Sequence, residues 1–250
     1  HRYAFAGGVD HVAENASWND WEEGAFDTSA DGALKEMSEA HQQMYNETPP
    51  NDGHRRNILD PNHNFVGLGL YLDEHQFRYY EEFVDRYLNF IDYPKGPVSP
   101  GQPFKISFRA LDVGLYPYAV IVYYEPFPRP MSVREVNSYA AYLDGSDEIA
   151  LSIWPLDLQK MEKPSGFEVP MSFEKNGLYY VQIYLSDYKE TGACQLQGGC
   201  RFSTQGMLQA AGLVVRVDNA PSQAQARGPF RFDFFRLSTA FPMRFLRGNP

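Results

Sequence analysis

Apolar side chains recur at steps of three and four across "DGALKEMSEAHQQMYNE", from Asp31 to Glu47. Leu34, Met37, His41, Met44 and Tyr45 fall on one side, and Lys35, Glu36, Glu39, Gln42 and Gln43 on the other. The spacing predicts an amphipathic helix, capped by Asp31 or a nearby Ser or Asp. "FVGLGLYL" (65–72) and "QFRYYEEFVDRYL" (76–88) are β-branched and aromatic runs around a short "DEH", which predicts a strand pair. "DYPKGPVSPGQP" (92–103) reads as a Pro/Gly linker. Beyond it the helical period largely disappears. "PFKISFRAL", "YAVIVYYE", "EIALSIW", "FEVPMSF", "GLYYVQIYL" and "GLVVRVD" are short runs separated by turns such as Asp144-Gly145 and Asn176-Gly177, the pattern of an antiparallel β-sandwich. "GPFRFDFF" supplies one more candidate strand. There is no internal repeat. The expected organisation is a domain over 1–93, a linker over 94–103 and a β-sandwich over 104–250.

Charge sharpens the division. Up to Tyr93 the chain carries 6 Lys and Arg against 18 Asp and Glu, and thereafter 16 against 14, so the parts stand at −12 and +2. All six histidines (His1, His11, His41, His54, His63, His75) lie in the acidic part, where imidazoles and carboxylates supply the materials of metal sites and acid–base chemistry. A surface so acidic offers no basic stripe for phosphates, which excludes nucleic acid as its partner. No apolar run approaches the roughly 18 residues of a membrane span. The chain opens at His1 with neither Met nor an apolar leader, and reads as a processed or N-terminally incomplete protein.

Cys194 and Cys200 enclose "QLQGG", a Gly-containing loop short enough for a local disulfide, which points to an extracellular or cell-surface location. Asn15-Ala16-Ser17 and Asn46-Glu47-Thr48 both fit the N-glycosylation sequon.

The densest chemistry lies in "NDGHRRNILD" (51–60), where Asn51-Asp52-Gly53 marks a loop. "GHRRNILDPNHNFVGLGLYL" followed by "YYEEFVDRYL" resembles the C-terminal half of the CAP domain, found in cysteine-rich secretory proteins, antigen 5 and plant pathogenesis-related proteins. Upstream, "AENAS" (13–17) resembles the family's "GEN-I-A" motif with Ala13 in place of glycine, and "MYNE" (44–47) its "W-x-x-E" helix end with Met44 in place of tryptophan. The resemblance covers residues 1 to about 92. It implies a partial CAP αβα sandwich, which together with the all-β antiparallel sandwich read after it makes an α+β chain. It also implies a cleft of two histidines and two glutamates able to bind zinc or another divalent cation. Carried onto this sequence, that set is Glu14, Glu47 and His54, with His1 as the preferred fourth member and His11 or His41 as the alternatives. Arg55, Arg56, Asn57 and Asn15 are expected as scaffold. A CAP domain carries a helix ahead of "GEN", so the sheet is expected to show an uncovered apolar surface.

Three function classes follow. The leading expectation is a secreted, non-enzymatic CAP-type module whose cleft binds a divalent cation or a small apolar ligand, joined to a sandwich that meets an extracellular protein. A metal-dependent hydrolase or protease would use Glu14 or Glu47 as base beside a metal-bound water. The third class is a structural or adhesive surface protein working through "YAVIVYYEPFPRP". A mature N-terminal histidine is also the copper-chelating element of lytic polysaccharide monooxygenases, but no pattern here supplies its second histidine and axial aromatic.

Overall fold

The computed structural model describes residues 2–136, 138, 148–193 and 199–219. In chain order its elements are α1 (Arg2–Phe5), β1 (His11–Asp20), α2 (Ala30–Tyr45), α3 (Gly53–Leu59), β2 (Phe65–Leu72), β3 (Gln76–Asp85), β4 (Leu88–Asp92), β5 (Phe104–Ala110) and β6 (Tyr116–Glu125). There follow α4 (Val133–Val136), β7 (Ile149–Ile153), α5 (Pro155–Leu158), a 3-10 turn (Gln159–Met161), β8 (Glu162–Lys163), β9 (Gly166–Met171), β10 (Gly177–Ser186), β11 (Leu208–Gln209) and β12 (Leu213–Val217). Among the described residues no helix is long and apolar enough to cross a membrane.

The strands form three antiparallel sheets, and the chain is mostly β. This corrects the expected α+β class with its partial CAP αβα sandwich. The physical reason is that α2 is the one helix longer than seven residues among those described, too little to form helical layers on both faces of a sheet. The "AENAS" stretch lies inside a ten-residue strand. The all-β expectation for the later part agrees with the two sheets found there.

Chain contacts divide the molecule into two compact units. The smaller spans His11–Arg86 and holds one three-stranded sheet, ordered β1-β3-β2, with α2 and α3 packed on it. Ser29 caps α2 by accepting a hydrogen bond from Gly32 N at 3.1 Å, while Asp27 accepts one from Ser29 N at 2.9 Å. The helix buries Ala40 and Met44, with Met37 beside them, against Phe26, Phe77 and Tyr79. Leu34 and Tyr45, expected on the same stripe, are exposed.

The larger unit is a sandwich. One sheet runs β11-β10-β6-β7, with β12 also pairing β10, and the other runs β4-β5-β9-β8. Alternating inward residues from both sheets, Ile106, Phe108, Val120, Val122, Val169, Val181, Ile183 and Val215 among them, close one apolar core. Each buried side chain of this size stabilises by about 1.5–3 kcal/mol relative to exposure. Phe108 and Phe167 are cross-strand partners with stacked rings 5.7 Å apart.

The ends of the expected first domain belong to this sandwich. Val9 packs against its core and accepts a hydrogen bond from Gly212 N, and β4 pairs with β5. The Pro/Gly segment 94–103 is laced onto it as well. Val98 is buried, donates to Arg216 O and accepts from Asp218 N, and Gly101 N donates to Phe173 O. The strand foreseen in "GPFRFDFF" lies outside the described residues.

Candidate functional site

Strand parity decides which side chains of the smaller unit are buried. In β3 the odd positions Phe77, Tyr79, Glu81, Phe83 and Asp85 all face inward, so two carboxylates share a face with three aromatic rings. Asn15 of β1 is the cross-strand partner of Glu81 and is fully buried beside it. Buried polar groups of this kind require partners, and the helices provide them.

His41 of α2 places Nδ1 2.6 Å from Glu81 Oε1, and the Tyr79 hydroxyl donates to the same oxygen at 3.0 Å. The Asn15 amide donates to Glu81 Oε2 and to His54 O, each at 3.1 Å, and Asn15 Oδ1 accepts from Asn57 Nδ2 at 2.9 Å. Burial, followed by the neighbouring Glu81 charge, pushes the Tyr79 phenol well above its ordinary value, so it stays a donor.

His54 belongs to α3, a short helix that begins at Gly53, the last residue of the Asn51-Asp52-Gly53 stretch read as a loop. Asp52 gives this helix no side-chain cap. Glu47 does so from outside, since its Oε2 accepts from His54 N at 3.0 Å and Arg55 N at 3.4 Å while Oε1 lies 2.6 Å from His54 Nδ1. The hydrogen bond from His54 is the chief cause holding the Glu47 carboxyl below its ordinary value. Arg55 lies over the Tyr45 ring at 4.7 Å, and Arg56 pairs with Asp52 at 3.3 Å. Glu47, Asn51, Gly53, His54, Arg56 and Asn57 line an open depression here.

His41 and His54 are therefore built alike. Each ring has Nδ1 against a glutamate and remains 46% and 42% exposed respectively, so its other nitrogen, Nε2, is the one left for chemistry. The carboxylates are joined through Asn15, which reaches Glu81 directly and Glu47 through the backbone of His54.

Of the four expected ligands, the structure brings together Glu47 and His54. Glu14 is exposed and, one residue before inward Asn15, projects from the opposite face of the sheet; Asn57 reaches only its backbone oxygen. His1 lies outside the described residues. His41, an alternative, joins the network. His11, the other alternative, is 2.7 Å from Asp85 Oδ2, and His63 is 2.6 Å from Asp85 Oδ1. Asp85 thus ties the inner strand to residues beside both of its neighbours. Burial alone would raise its carboxyl, but the hydrogen bonds from His11 and His63 outweigh that and hold it below its ordinary value. The His63 ring stacks on Phe83 at 5.1 Å, and its buried Nε2 has no hydrogen-bond partner among the described residues.

Sequence reasoning missed Glu81 and Asp85. The signal was their parity with Phe77, Tyr79 and Phe83. Burial of Asn15 with its amide engaged also removes it as a glycan acceptor in the folded protein, whereas Asn46 is exposed. Cys200 is disulfide-bonded, and Cys194, the chain's other cysteine, lies outside the described residues. No family model matches the chain, and no curated protein matches it either.

The donor chemistry suits a zinc-type ion. A histidine that ligates through one nitrogen commonly gives its other N–H to a carboxylate, the relation seen at both His41 and His54. In such an arrangement Glu81 and Glu47 would stand behind the imidazoles, each within 2.6 Å of an Nδ1. Among the described residues no three His, Cys, Asp or Glu side chains form a ready metal-holding group.

Proposed function

We propose that the chain is a secreted, non-catalytic binding protein, CAP-like in the motifs of its smaller unit. Its His–Glu cleft takes a divalent cation, and its sandwich serves as an interaction module toward extracellular protein. The observation that carries this reading is the repeated arrangement of two half-exposed imidazoles, each backed at Nδ1 by a glutamate and joined through Asn15. The reading rests on the motifs and not on an αβα architecture. His54 and His41 would hold the ion through Nε2, and Glu47 and Glu81 would fix the ring orientations and keep Nδ1 protonated. Binding without turnover is favoured because Glu47, the candidate base, is already engaged by His54 Nδ1, His54 N and Arg55 N as the cap of α3. The disulfide at Cys200 supports an oxidising compartment.

Calorimetric titration with zinc tests the reading on wild type, His54→Ala, His41→Ala and Glu47→Gln. Each alanine variant should lose about tenfold or more in affinity, and Glu47→Gln about tenfold, the usual range for groups behind a ligand. Equal affinity in all four proteins would remove the cation from the cleft. Zinc-dependent peptide cleavage that disappears in His54→Ala would replace the proposal with the hydrolase reading.

A further inference from the structure

A second cavity opens at the surface of the sandwich, about 280 Å³ in volume, where the β5-β9-β8 edge meets the start of β6 and the α5 turn, with Arg109 and Lys163 on its exposed rim. Its polar equipment is uneven. Glu162 is paired with Lys189 at 3.2 Å, and Glu190 Oε1 accepts from Gly192 N at 2.9 Å, so both carboxylates in the wall are engaged. Arg109 and Lys163 line the same cavity and have neither an ion pair nor a side-chain hydrogen bond among the described residues.

Strand register explains why these two cations stand together. Phe108 pairs with Phe167, which sets Arg109 beside Gly166, and Lys163 pairs with Gly166 from the other side. Lys163 and Gly166 close the tight "KPSG" hairpin, whose proline restrains the turn. Gly166 has φ +136°, and a Cβ there would lie 2.4 Å from Phe108 O and 3.1 Å from Arg109 Cβ. The position between the cations is therefore kept bare by both backbone conformation and space.

The opposite wall is aromatic and apolar. Tyr118 and Tyr188 meet edge to face at 6.0 Å, and Leu115, Pro117 and Pro155 continue the surface. Burial, and then the Tyr188 hydroxyl, push the Tyr118 phenol up to about 12, so it remains a neutral hydrogen-bonding group at neutral pH.

We propose that this cavity binds a small organic carboxylate of about one ring in size, with its head group between Arg109 and Lys163 and its body against Tyr118. The volume, about 280 Å³, falls just below the range of ordinary ligand pockets, which begins at about 300 Å³, and so suits a ligand of one ring. Charge-assisted hydrogen bonds to the two cations would fix the head. Aromatic acids and acidic sugars share this chemistry.

Backbone-amide NMR of the full chain tests the proposal. The probes are benzoate and glucuronate at up to about 10 mM, a concentration that reveals millimolar affinity, with benzamide and glucose as uncharged counterparts. Saturable shifts at Tyr118, Lys163 and Gly166 are expected with at least one anion, and which anion produces them identifies the source. Arg109→Met and Lys163→Met should each weaken binding about tenfold, the loss of one charged hydrogen bond, while Lys163→Arg should retain it. No saturable shift with either anion overturns the proposal. So does equal response to benzamide or glucose, or unchanged affinity in an Arg109→Met/Lys163→Met protein whose spectrum shows it folded.

Discussion

The two units solve burial in opposite ways. The sandwich core is almost wholly apolar: Ile106, Phe108, Val120, Val122, Val169, Val181 and Ile183 are fully buried, and Asp10, Ser107 and Ser186 are the larger unit's buried polar residues among those described. The smaller unit has a short apolar cluster around Phe77 and Tyr79 and buries Asn15, Glu81 and Asp85 in the same layer. Apolar packing is non-directional and tolerates approximate matches, whereas a buried carboxylate demands particular partners at particular distances. The sandwich is therefore a scaffold fixed by volume, and the smaller unit a polar lattice fixed by His11, His41 and His63. The lattice reaches the surface at the half-exposed rings of His41 and His54.

The largest expected break in this comparison is on the apolar side. Phe108→Ala should destabilise the sandwich by about 3–5 kcal/mol through lost burial and a residual cavity. Urea unfolding followed by residue-resolved NMR should show sandwich resonances lost at lower denaturant, with a much smaller change at Tyr79 and Glu81. Next comes the polar lattice. Glu81→Ala strips partners from His41, Asn15 and Tyr79 at once, and should cost the smaller unit about 3 kcal/mol, within the range for breaking a buried charged network. A loss under about 0.5 kcal/mol would show that the network is surface ornament and not core.

A smaller and pH-dependent difference follows from Asp85. Its carboxyl is held below the ordinary value of 3.8, so its stabilising contribution is fully present above that value and is lost as pH falls through the lower folded one. Glu47 acts in the same direction from its own ordinary value of 4.5. Acid titration of the full chain should therefore loosen the smaller unit below about pH 4 while the sandwich persists, and Asp85→Asn should flatten that acid-dependent step. Simultaneous loss of both units in wild type and variant alike would blur the contrast.

The same contrast governs what the sequence makes legible. α2 is visible because sixteen residues give the helical period room to repeat, and β2, β3 and the sandwich strands because β-branched and aromatic runs are bounded by turns. α3 is hidden: its seven residues include a polar "GHRRN" run, and its cap comes from Glu47, outside the helix. Proline content marks 94–103 as extended but does not reveal the bonds from Val98 to the chain at Arg216 and Asp218. In the site, motif order leads to Glu47 and His54. Glu14 illustrates a parity error, because adjacent residues in a strand point to opposite faces and Asn15 is the inward one. Glu81 and Asp85 read as solvated charge until they are placed on the face of Phe77 and Tyr79.

The central claim is that His41 and His54 act as one carboxylate-backed pair, and long-range ¹H–¹⁵N NMR of the imidazoles measures this directly. In wild type both rings should show the Nδ1-protonated tautomer, as their contacts to Glu81 and Glu47 require. On addition of zinc, Nε2 of both should shift together and saturate at the same molar ratio, while the exposed His75 ring serves as the reference for weak surface binding. Response of one ring alone, of neither, or of both in the Nε2-protonated tautomer would contradict the account.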